Sequence, residues 1–305
     1  MSVKVTVGVC VKNSEKMVKT ALHSVVKQDF PHKLMRLVVV DDGSTDETLS
    51  VVRDFTSKMD IKTVVFSSGE KGPGASRQIV VDNAEGDYIV WVDDDIILKK
   101  NFIRKHVEFM EKNPSVGAAS ANQIPTRKSL VDTLESIGQL LPNPNPETIG
   151  TGGSIFRLKA IKQIGGFDIN IKGAGEDQDI SQRIKESGWA LSRNSSSEFY
   201  HKHPPTTWRT LWDRHLWYGY GRHFRFHKYK RKNLLWEPFP HFALVIGFKN
   251  SCRIYEITHE KRTFFLAPFY FFRSIADCLG FIRAHLDGYG HIASNEGRSP
   301  VSDEN

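Results

Sequence analysis

Val3, Val5, Val7, Val9 and Val11 recur at every second position, the period at which the side chains of a strand return to one face. The pattern then changes to Met17, Val18, Ala21, Leu22, Val25 and Val26, whose spacings of three and four mark one face of a helix, with Asn13 or Ser14 expected as its N-cap. LVVVDD at 37–42 is a near-continuous apolar run, expected of a parallel strand buried on both faces. Ser44-Thr45-Asp46-Glu47 follows it with the spacing of a capping box that opens the next helix. IKTVVF at 61–66 reads as a third strand, the glycine-rich GEKGPGASRQ comes next, a short helix runs to about Ala84, and YIVWV at 88–92 is a fourth strand. Strands alternating with helices over the first ~110 residues predict a parallel, doubly wound sheet covered on both faces.

After Pro114 the pattern loosens. VGAASANQI reads as a strand, LPNPNPET as an irregular Pro- and Asn-rich stretch, and GTGGSIFRL as a return to strand. GGFD at 165–168 follows, then GAGEDQDISQRIKESGW at 173–189, in which Glu176 and Asp177 fall just before or in the first turn of a helix carrying Ile180, Arg183 and Ile184. From about residue 204 the chain becomes basic and aromatic. Between His203 and Lys232 there are eight Lys or Arg residues against one acid, Asp213, within a formal net charge of +7 for the whole chain. Trp208, Leu211, Trp212, His215 and Leu216 share one helical face. The residues from about Ser294 are small and polar and read as a disordered tail. The expected organisation is a nucleotide-binding and catalytic domain over 1–203, a helical extension over 204–293, and the tail 294–305.

Cys10, Cys252 and Cys278 are far apart and carry no CxxC pairing, so no disulfide framework or thiolate zinc site is signalled. The alternating N-terminus is unlike a signal peptide, which implies a cytoplasmic start. No run reaches the ~18–20 uninterrupted apolar residues of a membrane span; TFFLAPFYFF at 263–272 comes closest before Arg273 stops it.

Ligands of doubly wound sheets sit at the carboxyl ends of the strands, which turns the acids into a constellation. Asp41 and Asp42 end one strand and Asp93, Asp94 and Asp95 end another. Adjacent carboxylates repel unless a cation neutralises them. Asp93 and Asp95, two apart, aim to one side and suit a hard divalent ion, Mn²⁺ or Mg²⁺, that keeps positions open for phosphate oxygens; Asp94 between them faces elsewhere. Asp41 and Asp42, beside the Val11-Lys12-Asn13 exit of the first strand, are either a plain strand-end turn or acceptors for a base or ribose. Arg77 is either a partner for a diphosphate or a surface residue. Glu176 and Asp177 are either helix N-terminal acids favoured by the dipole or hold a general base.

The ordered set VVVDDGSTDET, DDD after YIVWV, GGFD, GEDQDISQRI and a later histidine segment resembles the family 2 glycosyltransferases of GT-A fold over roughly residues 3–225. The resemblance implies an α/β fold with a Rossmann-like, mostly parallel central sheet flanked by helices. It implies a nucleotide-sugar site formed by Val11, Asn13, Asp41, Asp42, Arg77, Asp93 and Asp94. It further implies a divalent metal on Asp93, Asp95 and His201, and Asp177, with Glu176, as the catalytic acids of an inverting displacement. His203 is the alternative to His201. The first strand's VKNSE exit departs from many relatives and leaves the nucleobase open, and the lack of a QxxRW motif argues against a processive polysaccharide synthase.

The basic aromatic segment is either a helix packed on the domain with a solvated basic end or, the preferred reading over a nucleic-acid surface, an interfacial helix that meets lipid headgroups, which suggests peripheral association with the cytoplasmic face of a membrane. The expected donor is a UDP- or GDP-sugar and the acceptor a hydroxyl of a glycan or a polyprenyl- or other lipid-linked substrate. Two further readings are a sugar-phosphate nucleotidyltransferase and a non-catalytic module binding membrane or nucleic acid.

Overall fold

The computed structural model describes residues 2–125, 129–138, 140–141, 146–171, 173–230 and 240–289. The chain divides into two compact units. One comprises Met1–Thr126, Asn143–Lys172 and Glu176–Pro204, and the other Arg127–Pro142, Gly173–Gly175 and Pro205–Asn305. The polar tail from Ser294 and residues 142–145 of the Pro- and Asn-rich stretch lie outside the described residues.

The first unit is built on β1 (Val5–Val11), β2 (Met35–Asp41), β3 (Lys62–Ser67), β4 (Tyr88–Trp91), β5 (Ile96–Leu98), β6 (Val116–Ile124), β7 (Ser154–Arg157) and β8 (Ala190–His201), with spatial order β3-β2-β1-β4-β7-β6-β8-β5. The half formed by β3, β2, β1 and β4 is wholly parallel. Beyond β4 the sheet is mixed: β7 runs antiparallel to β4 and β6, β8 is parallel to β6, and β5 antiparallel to β8.

Alternation along the strands explains why both faces are covered. Val5, Val7, Val9 and Val11 of β1 and Leu37 and Val39 of β2 share one core with Leu22 and Val25 of α1 (Val18–Val26) and Phe102 of α4 (Phe102–Lys112). Val38 and Val40 point to the other face, where they meet Val80 of α3 (Pro73–Asp82), Trp91, Phe156 of β7, and Ile180 and Ile184 of α7 (Glu176–Glu186). Each of these fully buried side chains contributes about 1.5–3 kcal/mol of burial. Two further α-helices of this unit, α2 (Thr48–Thr56) and α6 (Leu158–Gln163), follow β2 and β7.

Two expected caps do not form. Helix α1 starts at Val18 behind Met17, with no side-chain cap, because Asn13 adopts a left-handed φ of 49° and turns its side chain across the loop, where its Oδ1 accepts from Thr45 N at 2.8 Å. Ser44 likewise makes no capping box. Its hydroxyl accepts from Asn13 N at 3.0 Å, and Asp46, not Ser44, accepts from Thr48 N. The residues that look like separate caps in sequence tie two strand exits together.

The second unit contains α5 (Leu130–Gly138), α8 (Trp208–Tyr229), α9 (Pro240–Thr258) and α10 (Leu266–Leu286). Its core joins Leu134 and Ile137 to Leu211, Ile254, Leu266 and Phe269. Helix α8 opens with a capping box between Thr207 and Thr210. Its buried side runs through Leu211, His215, Gly219 and His223, while Trp208, expected on that face, is 44% exposed. The glycine is needed because a Cβ on Gly219 would lie 2.7 Å from the carbonyl carbon of Asp277 in α10. Residues 261–286 include an 18-residue window of mean hydropathy 1.4 and so, by length and composition, are long and apolar enough to cross a membrane. A search for uninterrupted apolar residues misses this segment because Arg273 breaks the run without breaking the helix.

Candidate active site

The carboxyl ends of β1, β2 and β4, with the N-terminus of α7 and the end of β8, supply one set of polar groups in the first unit. Asp41 and Asp42 are both buried. Asp42 N donates to the Val11 carbonyl at 2.8 Å, so the backbone of Val11 braces the β2 exit. Asp42 Oδ1 accepts from Ser68 Oγ and from Gly72 N, the latter at 3.1 Å. Asp41 Oδ2 accepts from Ser44 N at 3.2 Å, whereas its Oδ1 is buried with no hydrogen-bond partner. A buried acceptor of this kind is costly unless a ligand or ion satisfies it.

After β4 the chain makes a tight turn in which Ile96 N donates to the Asp93 carbonyl, so the three aspartates diverge. Asp93 approaches Arg77, with Oδ1 3.6 Å from the guanidinium. Asp95 Oδ2 accepts from His201 Nε2 at 2.8 Å, and pairing of Ile96 with His201 between β5 and β8 holds both residues in register. Asp94 stands at the β1 exit near Ser14, whose buried hydroxyl makes no hydrogen bond among the described residues. Burial, reinforced by Asp95 and Asp93, pushes Asp94 up to about 6, and burial likewise raises Asp93 although Arg77 pulls it down.

Arg77 and Glu176 form the centre of the arrangement. Arg77 Nη1 donates to Glu176 Oε1 at 2.7 Å, and both side chains are nearly inaccessible, 11% and 7% exposed. Glu176 Oε2 is buried without a partner. Burial raises the Glu176 carboxyl above its ordinary value, Arg77 counters it, and Asp177 adds to the rise. Asp177, in the first turn of α7, is half-buried, and its Oδ1 accepts from Gln178 N at 2.7 Å. A Cβ on Gly150 would stand 3.8 Å from Asp177 Oδ2, so this oxygen faces backbone without a side chain. Gly152 does the same for Asp93: a Cβ there would overlap Asp93 Oδ2 and lie 2.9 Å from Ile96.

The expected residues thus fall into linked sets: Asp93–Arg77–Glu176, Asp95–His201, and the Val11–Asp42 and Asn13–Thr45 ties at the strand exits. The ring of His203 lies 5.1 Å from that of His201, edge to face, and its Nδ1 meets the Pro204 carbonyl at 2.6 Å. His201 is bonded to the acid triplet through Asp95. Ser68, Gly72, Gly150 and Gly152 had no signal of their own in sequence, since a serine or glycine acquires this role only through the carboxylate it meets.

The donor set can be tested against a divalent ion. Carboxylates of Asp93 and Asp95 with one imidazole give mainly oxygen donors, suited to Mn²⁺ or Mg²⁺. Nearby carboxyls raised by burial and mutual repulsion, and the orphaned Asp41 oxygen, show a region short of positive charge. The residues fit such an ion.

A parallel half-sheet continued by antiparallel strands, with acids at the strand ends, is the GT-A class of α/β fold. The sequence comparison then gives the family: the model of glycosyl transferase family 2 matches residues 6–165, just over half of the chain, and that of glycosyl transferase family group 2 matches 88–275. The chain belongs to glycosyl transferase family 2. It is similar to the poly(ribitol-phosphate) beta-N-acetylglucosaminyltransferase TarS of Staphylococcus aureus, 36% identical over 112 residues, which are 37% of this chain and 20% of TarS. It is also similar to the probable glycosyltransferase YdaM of Bacillus subtilis, 25% identical over 80% of this chain and 63% of YdaM. The chain therefore spans about a fifth of TarS and less than two thirds of YdaM. Among solved structures, the mannosyltransferase PcManGT of Pyrobaculum calidifontis, in complex with GDP-Man and Mn²⁺, aligns with a TM-score of 0.66 at 17% identity, over 92% of this chain and 87% of that one. S. aureus TarS 1-349 with UDP aligns with a TM-score of 0.53 at 20% identity, over 99% and 94%. These likenesses are of fold.

Proposed function

We propose that this chain is an inverting, divalent-metal-dependent glycosyltransferase that moves a sugar from a UDP- or GDP-sugar to a hydroxyl of a glycan or lipid-linked acceptor. The observation that carries the reading is the joining of the DDD turn to two partners at once, Asp95 to His201 and Asp93, through Arg77, to Glu176. A turn of merely solvated acids has no need of such partners.

Asp93, Asp95 and His201 would hold the metal, which when bound neutralises charge developing on the leaving diphosphate. The chain's own groups do the rest. Asp41 and Asp42 line the nucleoside end, where the free oxygen of Asp41 accepts from a base or ribose. Arg77 keeps Glu176 and Asp93 in place and offsets part of their charge. Asp177, whose carboxylate is more accessible than that of Glu176, takes the proton of the acceptor hydroxyl as that oxygen attacks the anomeric carbon from the side opposite the leaving group. Attack from that side inverts the configuration.

The nucleotide is identified by thermal shift in Mn²⁺. The matching nucleoside diphosphate, at about 100 times its Kd, adds about 2.7 kcal/mol of stability, and the non-matching ones add none. A panel of UDP, GDP and dTDP with their sugars that gives no shift and no hydrolysis overturns the reading.

The acceptor side of the proposal includes a lipid surface. In the second unit Val245, Phe248, Ile257, Phe265 and Leu286 are 58–79% exposed, with Lys249, Arg253, Lys261 and Arg262 among them. Apolar side chains interleaved with cations suit an anionic bilayer. The protein is expected to sediment with vesicles containing phosphatidylglycerol and not with neutral ones, and Phe248→Asp with Phe265→Asp should weaken this several-fold. Equal sedimentation of wild type and double variant removes the membrane role.

A further inference from the structure

The second unit carries a histidine cluster that the transfer reaction does not use. His223 and His227 are one turn apart on α8, so both leave the same face, and His285 comes from the last turn of α10. Nε2 of His223 lies 3.2 Å from Nδ1 of His285 and 3.2 Å from Nε2 of His227. The three nitrogens are all within 4.8 Å of one another. His223 is fully buried, His227 half-buried and His285 exposed, so the cluster is anchored on one side and open to solvent on the other. The rings of Phe281 and Phe226 flank it, at 4.8 Å from His223 and 5.2 Å from His227.

The far nitrogen of His223 decides the chemistry. Nδ1 faces the backbone carbonyl of Tyr289. A carbonyl only accepts, so Nδ1 carries the proton and Nε2 presents its lone pair to the cluster. This is the arrangement by which an outer carbonyl fixes the tautomer and ring orientation of a metal-ligating histidine. That single lone pair faces two ring nitrogens at equal distance, and only one of them can donate along it with good geometry. A cation at the centre instead takes an electron pair from each ring. The spacing agrees: tetrahedral zinc with Zn–N of about 2.0–2.1 Å separates neighbouring ligand nitrogens by about 3.3 Å, against the 3.2 Å found for two of the three pairs.

We propose that His223, His227 and His285 form a site for a divalent transition metal of the zinc class, which ties α8 to α10 and keeps a fourth position open to solvent. None of its ligands belongs to the aspartate crevice. An all-imidazole set favours Zn²⁺, Co²⁺, Ni²⁺ or Cu²⁺, whereas the carboxylates of Asp93 and Asp95 favour Mg²⁺ or Mn²⁺, so the two sites select different metals. Because the ligands come from two helices, binding stabilises their packing.

The experiment uses the full chain carrying Asp95→Asn, which weakens metal binding in the crevice. The chelator-stripped protein is titrated with Co²⁺ and then Zn²⁺. One equivalent of Co²⁺ should give the visible absorption of a tetrahedral ion, Zn²⁺ should bleach it, and Zn²⁺ should raise Tm. Adding His285→Gln, a change at an exposed position, should leave the metal-free Tm unchanged, abolish the cobalt band, and weaken zinc binding beyond the about 10–100-fold that loss of an outer partner costs. His227→Gln should do the same. Absence of a cobalt band in the Asp95→Asn protein, or equal metal uptake with and without His285, overturns the site.

Discussion

Replacing Asp177 with asparagine is expected to lower sugar transfer by about 10²–10⁴-fold, the usual contribution of a positioned general base, while the thermal shift given by Mn²⁺ and the nucleoside diphosphate stays within error of wild type. The expectation rests on the contrast between two neighbouring acids. Glu176 has one oxygen on Arg77 and the other buried, so an acceptor hydroxyl reaches it only by displacing protein. Asp177 is half-buried and presents Oδ2 beside Gly150. Asparagine preserves the shape and the hydrogen bond from Gln178 N, loses the ability to take a proton, and forfeits about 0.3–1 kcal/mol of helix-dipole interaction. Transfer within threefold of wild type would move the base elsewhere, whereas loss of both transfer and nucleotide shift would make Asp177 a binding residue.

The parallel half of the first unit was legible because its burial is written at period two. The valines of β1 all fall in one core, and the continuous run of β2 serves both faces. The GT-A class followed from the order of the acid motifs. The strands that turn the sheet mixed were harder. Ile96, Ile97 and Leu98 make β5 only by pairing with β8, and a three-residue strand has no period to detect. Helix α5 was likewise unforeseen, since its apolar face is matched by Leu211, Ile254 and Phe269, far along the chain. At the site, sequence order brought out Asp93, Asp95, Asp177 and His201 but not their dependence on one another. Arg77 read as a candidate partner for a diphosphate, and the fold sets its guanidinium against Glu176 and Asp93. Ser44 and Asn13 read as caps for separate helices, yet they hydrogen-bond across the two loops. Local signals name the residue; only the tertiary fold names its partner.

The largest stability effect is expected at Arg77. Removing one member of a buried ion pair strands the other charge and costs about 3–5 kcal/mol, so Arg77→Met should lower Tm by on the order of 10 °C. The pH dependence follows from the direction of the Glu176 shift. Burial holds its folded-state pKa above the ordinary 4.5, so between the unfolded and folded values the native state binds more protons than the unfolded state, and stability falls as pH rises through that window. Arg77 limits the shift. Without it the window widens upward, and Asp93, 3.6 Å from the same guanidinium, moves the same way. The deficit of Arg77→Met should thus be small below about pH 3.5, where Glu176 is largely protonated in both states, and full near about pH 8. Arg77→Met with Glu176→Gln leaves no stranded carboxylate at that position and should recover at least about 2 kcal/mol, a coupling that a double-mutant cycle reads directly. A single variant that melts within 1 °C of wild type at about pH 8 would mean that water reaches the pair and that Arg77 is held for the donor alone.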